Sequence, residues 1–448
     1  MVLYSFLAST LLSSGFSLSA QTKFVPNYDE SKVSEYSLPN PLVTLDGKQV
    51  ANSKTWQKQR RPEILKLFET EVYGRAPQKK LKTRFEVTSV DKQALDGTAT
   101  RKEVSVHFSG NGLKQRMDIL IYLPNKTKGP APLFLGLNFY GNHTAHVDPG
   151  ITLSTNWMRR NPDKGIVNNR ATEESRGTSA KRWPVETLLQ RGYGLATIYY
   201  GDIVPDDSAN GLPRGIHRLF SNHVSPAPGS EEWGAISAWA WGLSRAMDYF
   251  ERDKAIDPKR VVVMGHSRLG KTALWTGALD PRFAVVISNN SGCGGASLSR
   301  RIFGETVLRI NTSFPHWFSG NFKKYSDNEN HLPVDQHMLI ALIAPRPVYV
   351  ASAEDDLWAD PRGEFLSAQH AEPVYALFGK PGVGVEEMPA LNQPTGHSIG
   401  YHFRTGKHDV TDFDWEQYLA FADRHFGQSK ALKWVFNHGG TRMLRGGE

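Results

Sequence analysis

The residues with the clearest chemical potential are Gly265-His-Ser-Arg-Leu-Gly270. Four apolar residues, Val261 to Met264, run straight into them, and Lys271 to Leu279 behind them suits a helix. On a strand, turn and helix of this kind the strained turn pushes a serine hydroxyl out above a sheet, and small residues let strand and helix close up. Ser267 is therefore a candidate nucleophile. The spacing departs from Gly-x-Ser-x-Gly, since position 269 is Leu and the second glycine is Gly270. The alternative is a serine that only caps the helix starting at Arg268.

A serine nucleophile needs a base and an acid, and α/β-hydrolases place them in the chain order Ser, acid, His. Arg346-Pro-Val-Tyr-Val-Ala351 is a strand that enters the acidic loop Ser352-Ala-Glu-Asp-Asp-Leu-Trp-Ala-Asp360. Asp356 is the expected acid and Asp355 the close alternative. Farther on, Tyr401-His-Phe-Arg-Thr-Gly-Lys-His-Asp409 is a glycine-containing loop that carries His408, the expected general base. His397 and His402 compete for that role. The three histidines could also be a metal cluster, but zinc sites show tighter paired spacings, so no metal is expected and His402 is read as structural. The backbone N–H of Arg268 is the expected oxyanion donor, and its permanently charged guanidinium can add a second contact. The loop Phe139-Tyr-Gly-Asn-His143 occupies the place of the second backbone donor, and no single donor stands out there.

The elements that must position these residues follow from hydrophobic periodicity. Residues 21 to about 95 read as an extended N-terminal wrap with one helix around Trp56 to Tyr73. Alternation over Thr83–Val90 and Lys102–Phe108, then Met117–Tyr122, predicts an antiparallel start to a sheet. Strands Pro132–Asn138, Tyr193–Tyr199, Val261–Met264, Ala284–Ser288 and Arg346–Ala351 then alternate with helices Pro184–Gly192, Trp233–Arg252, Arg268–Leu279 and Trp415–Phe426. Such alternation implies right-handed crossovers and a mostly parallel sheet covered on both faces, a three-layered α/β fold. Two long irregular segments, about Gly141–Arg182 and Ser297–Leu332, interrupt the rhythm, and loops of that length are usually functional.

Bulk properties narrow the setting. With 448 residues, 39% hydrophobic and 11% aromatic, the chain can bury a sizeable core. Met1 to Ala20 contains no charged residue and reads as a secretory signal peptide, which implies a secreted or periplasmic protein, with residues 21–448 as one domain. No later stretch is long and apolar enough to span a membrane. Cys293 is the only cysteine, so no intramolecular disulfide can form, and an exported chain without one fits a bacterial source. The sequons at Asn125, Asn142, Asn289 and Asn311 are then expected to go unused. The net charge of +8 comes from scattered Lys and Arg without interleaved aromatics, which argues against nucleic acid and for a general attraction to acidic material, of which polyanionic polysaccharide is one kind. A monomer is expected.

Four motifs in order, Gly265-His-Ser-Arg-Leu-Gly-Lys271, Asn290-Ser-Gly-Cys-Gly-Gly-Ala296, Asp356-Leu-Trp-Ala-Asp-Pro361 and Arg404-Thr-Gly-Lys-His408, resemble the glucuronoyl esterases of carbohydrate esterase family 15. The resemblance covers roughly Pro132 to Phe426. It implies an α/β-hydrolase fold, no cofactor, and cleavage of the ester between (4-O-methyl-)glucuronic acid on xylan and an alcohol of lignin. By the same resemblance Ser267 is nucleophile, His408 base and Arg268 the oxyanion-stabilising arginine, while Lys271, Glu305 and Trp358 contact the hydroxyls of the uronic acid. Read without it, Lys271 is a solvated helix residue, Glu305 a partner of Arg300 or Arg301, and Trp358 part of the core. Many members carry the catalytic Glu where this chain has Asn290, and an amide cannot stabilise an imidazolium as a carboxylate does, which moves the acid to Asp356. Trp358 and the aromatics of Phe314-Pro-His-Trp-Phe318 are expected to stack on sugar or lignin rings. An acetyl or feruloyl esterase on the same fold, or a catalytically silent polysaccharide-binding domain, are the competing readings.

Overall fold

Successive residues in the central strands go to opposite faces of one sheet, and both faces are covered. Val261 and Val263 join one hydrophobic cluster while Val262 and Met264 join another, and the same division separates Val348 and Val350 from Tyr349 and Ala351. That is the burial pattern of a three-layered α/β protein, here seen in a computed structural model describing residues 24–427. The expected leader, Met1 to Ala20, lies outside the described residues.

Among the described residues the sheet has ten strands. In chain order they are β1 (Lys82–Ala94), β2 (Ala99–Gly110), β3 (Leu113–Pro124), β4 (Ala131–Asn138), β5 (Gly194–Tyr199), β6 (Ile256–His266), β7 (Val285–Asn289), β8 (Val348–Ala353), β9 (Thr395–Gly396) and β10 (Ile399–Arg404). Across the sheet the order is β1-β2-β3-β5-β4-β6-β7-β8-β10-β9. The first three form an antiparallel meander and β3 pairs antiparallel with β5, whereas β5, β4, β6, β7, β8 and β10 are mutually parallel. The meander strands are longer than expected, and β1 exposes Val87 and Val90, so apolar alternation alone underestimates an edge strand.

Helices Ala235–Phe250 and Arg268–Leu279 cover one face. On the other, Val185–Gln190 and Asp412–Phe426 pack Leu188, Trp415 and Tyr418 against Phe134 and Tyr349. The last helix starts on a capping box between Thr411 and Asp414. Several elements differ from the sequence expectation, three of them beside the candidate site residues. Tyr401–Arg404, read as loop, belongs to β10, and helices Val307–Ser313 and Pro361–His370 were not anticipated. The N-terminal stretch does run along the surface with a helical run from Ser53 to Glu71. It is fastened by side-chain bonds to main-chain oxygens, as from Arg61 Nη2 to Ala278 (2.6 Å) and His337 Nε2 to Pro39 (2.9 Å). Cys293 is buried, and burial pushes its thiol pKa well above the usual range.

Candidate active site

Strand β6 delivers Ser267 into a backbone conformation that L-residues rarely adopt, φ 59° and ψ −130°. The turn closes because position 265 is glycine: a Cβ there would lie 1.9 Å from the carbonyl oxygen of Leu269. At position 270 a Cβ would come within 3.0 Å of the Ser291 side chain, while Leu269 points into the core. That is why the second small residue falls one place later than in the usual signature. Ser267 occupies the N-cap position but makes no side-chain capping bond, so its hydroxyl is not used to cap the helix. The N–H of Arg268 opens that helix, where amides have no intrahelical acceptor and the dipole favours negative charge.

The expected acid and the expected base meet. Asp356 follows β8, its side chain 5% exposed, and Oδ2 accepts from His408 Nδ1 at 2.5 Å and from Asn290 Nδ2 at 2.8 Å. The amide of Asn290 thus holds Asp356 in place. Asp355 is exposed, and its backbone N–H ties the acidic loop to Gly406 of the histidine loop (3.0 Å). The His408 side chain is 39% exposed, and its Nε2 has no hydrogen-bond partner among the described residues. Its ring lies 4.4 Å from that of His266, whose Nδ1 donates to Asn289 Oδ1 at 2.6 Å. Burial, and secondarily the nearness of His408, hold His266 far below the ordinary imidazole range, so it is a neutral neighbour.

The three histidines do not converge. His402 is buried between Asp414 (2.9 Å) and the Tyr349 hydroxyl (3.0 Å), as a structural residue would be, and His397 packs against His425. Among the described residues no group of three or more His, Cys, Asp or Glu is arranged to hold a metal ion.

Arg268 is more constrained than its position in the sequence suggests. Its Nη1 donates to Asp206 Oδ2, and its guanidinium lies 4.8 Å from the Trp317 ring, with Phe314 and Phe139 also in cation–π range. Asp206 Oδ1 takes His316 Nε2 (2.9 Å) and Trp317 Nε1 (2.8 Å). Burial would raise the Asp206 pKa, but those bonds and the charge of Arg268 hold it below the usual carboxylate range. Within Phe314–Phe318, the half-buried Phe314 and the buried Trp317 stack face to face at 3.8 Å with the arginine beside them. The loop after β4 does not supply its Gly141 N–H as a second donor, because Asn138 Oδ1 takes it at 2.7 Å. Arg268 Nε, by contrast, is buried without a partner.

Lys271, Glu305 and Trp358 come together one helical turn from Ser267. Lys271 is buried, not solvated; its Nζ lies 3.7 Å from Glu305 Oε2 and donates to the Ser291 carbonyl. Glu305 N–H donates to the Trp358 carbonyl (3.0 Å), while Arg300 pairs with Asp335 and Arg301 with Asp360. Trp358 is half-buried, edge-on to Phe24. Sequence reading missed Asp206, His316 and Glu364. The last is fully buried and receives the N–H groups of Ser291 (2.7 Å) and Gly292 (2.9 Å). Burial drives its pKa up to about 8. Nothing in the local sequence marks Glu364, whereas Asp206 follows a strand at the sheet edge that carries Ser267, a place where an acid is worth noting.

Comparisons with known proteins place the chain in a family. A family model described as glucuronyl esterase of fungi matches residues 223–379. A carbohydrate esterase of an unknown prokaryotic organism is 53% identical over 399 residues, 89% of this chain and 92% of that one. A structure described as a promiscuous CE15 esterase from a marine bacterial metagenome superposes with TM-score 0.84 at 52% identity, over 90% of this chain and all of that one. The glucuronoyl esterase from Solibacter usitatus gives 0.83, also at 52% identity, over 89% of this chain and all of that one. The chain, with its α/β-hydrolase fold, belongs to the glucuronoyl esterases of carbohydrate esterase family 15, which are carboxylic ester hydrolases.

Proposed function

We propose that this protein hydrolyses the ester between (4-O-methyl-)glucuronic acid and an alcohol, on glucuronoxylan joined to lignin, through a uronoyl-serine intermediate. The observation that carries the reading is the His408–Asp356 contact, with Nε2 of the imidazole left unbonded, on the sheet edge that carries the strained Ser267. His408 Nε2 takes the Ser267 proton as Oγ attacks the ester carbonyl carbon. Asp356 holds Nδ1–H and stabilises the imidazolium. The Arg268 N–H and its unpartnered Nε receive the oxyanion. Collapse releases the alcohol, which gains the proton from His408. Water then attacks the uronoyl-serine, giving its proton to His408, and the second collapse returns that proton to Ser267. Lys271, Glu305 and Trp358 would bind the uronic acid hydroxyls. A relative from Schizophyllum commune, 28% identical over 82% of this chain, bears the name 4-O-methyl-glucuronoyl methylesterase.

The related structure described as promiscuous favours a second reading, a wider range of acyl groups on the same machinery. Turnover of methyl or benzyl glucuronate beside acetylated xylan separates the two: glucuronate esters should be preferred by kcat/KM, and equal rates would favour the wider reading. Ser267→Ala should abolish both activities, and a fully active variant would refute the mechanism. The uncharged leader and the single cysteine support export from a bacterial cell, and no helix among the described residues is long and apolar enough to cross a membrane.

A further inference from the structure

We propose that Asp206 balances the charge of Arg268 so that the pocket accepts an ester carbonyl and releases the carboxylate that hydrolysis leaves, making Asp206 a positioning and specificity-determining residue. The inference rests on the uronate-ester reading above. A guanidinium withdrawn from water binds a carboxylate through two parallel N–H···O bonds, among the strongest of polar contacts. Hydrolysis generates a carboxylate at the carbon that Ser267 attacks, beside Arg268. A free arginine there would retain its own product.

In the structure the arginine already has its carboxylate. Asp206 is 0% exposed and is held by Arg268 on one oxygen, by His316 and Trp317 on the other, and by the Tyr200 hydroxyl at 3.2 Å. It cannot swing away to make room for a product anion. The guanidinium is fixed in turn between Asp206 and the Trp317 and Phe314 rings, with Nε buried and unengaged. Lys271 is matched the same way by Glu305. Among the described residues, the other arginine within 4 Å of Asp206, Arg159 at 3.7 Å, has a half-exposed side chain, where water screens it.

Two cations beside the nucleophile are therefore answered by two carboxylates. A bound ester leaves that sum unchanged. So does the tetrahedral intermediate, because the proton leaving Ser267 or water stays on His408 while the oxyanion forms. The uronic acid released by the second collapse loses its proton to solvent, and only then does an unanswered negative charge stand in the pocket.

Binding of glucuronate and of its neutral isostere glucuronamide, measured by calorimetry, tests this directly. Wild-type protein should bind the acid no more than about threefold tighter than the amide, whereas Asp206→Asn should favour the acid by about tenfold or more. In the variant, glucuronate should also become a stronger inhibitor of methyl glucuronate turnover. A merely structural role would weaken both ligands alike and leave their ratio unchanged. An unchanged ratio in the variant, or a wild type that already prefers the acid tenfold, overturns the proposal. Should Asp206→Asn fail to fold, the wild-type ratio alone decides. A wild type that binds both ligands but does not turn over methyl glucuronate would sink the ester reading instead.

Discussion

His402 and His408 each bond a carboxylate, and the two pairs differ in everything that matters for chemistry. His402 is completely buried, with Asp414 on one nitrogen and Tyr349 on the other, and Asp414 is further held by Arg404 Nε at 2.8 Å and by Thr411. Both ring nitrogens are engaged. His408 has a carboxylate on Nδ1 only and a side chain 39% exposed. An imidazole–carboxylate contact is thus not itself a sign of catalysis; an unengaged second nitrogen on the accessible edge of the sheet is.

Substitutions can break that comparison. His408→Ala should lower kcat by about 10⁴-fold or more with little change in Tm, because it removes the proton acceptor from a partly exposed site. A variant with near-normal kcat would move the base elsewhere. Asp356→Asn should lower kcat by about 10³- to 10⁴-fold, whereas Asp355→Asn should stay within about twofold. Comparable losses from both would mean that the acidic loop rearranges. His402→Ala should act in the opposite sense, removing about 2–4 kcal/mol of stability while the folded fraction keeps kcat within about threefold, since it strips partners from buried Asp414 and Tyr349 and opens a cavity. Urea unfolding beside active-site titration checks it.

The smallest effect concerns Glu364, close to Asp356 yet wholly buried. Its pKa is about 8 in the fold against 4.5 ordinarily, so between those values the native state binds more protons than the unfolded chain. Stability from this group is therefore fully present below about pH 4.5 and is lost as pH rises toward 8. Glu364→Gln, which has no proton to lose, should flatten the fall of Tm over that window. A slope identical to wild type would assign the pH dependence to other groups, such as Asp202, whose pKa burial raises to about 7.

What was legible in the sequence divides along similar lines. The Ser267 elbow could be read because its strand, turn and helix are contiguous, and the pairing of Asp356 with His408 because their chain order and loop positions follow from parallel-sheet topology. The partners of those groups could not. Asp206, His316 and Glu364 reach the site from separate loops and helices, and their importance comes from burial beside particular neighbours. Asn290 was visible as a departure, but only its contact with Asp356 shows what it does.

The lone cysteine has a practical consequence. Cys293 is out of reach of water and its thiol stays protonated, so thiol-directed reagents find no partner on the native surface. A cysteine introduced at an exposed position becomes a unique attachment point for a fluorophore or spin label without first removing the native one. Conversely, the rate at which Cys293 itself is alkylated is a clock for the opening of the core around it.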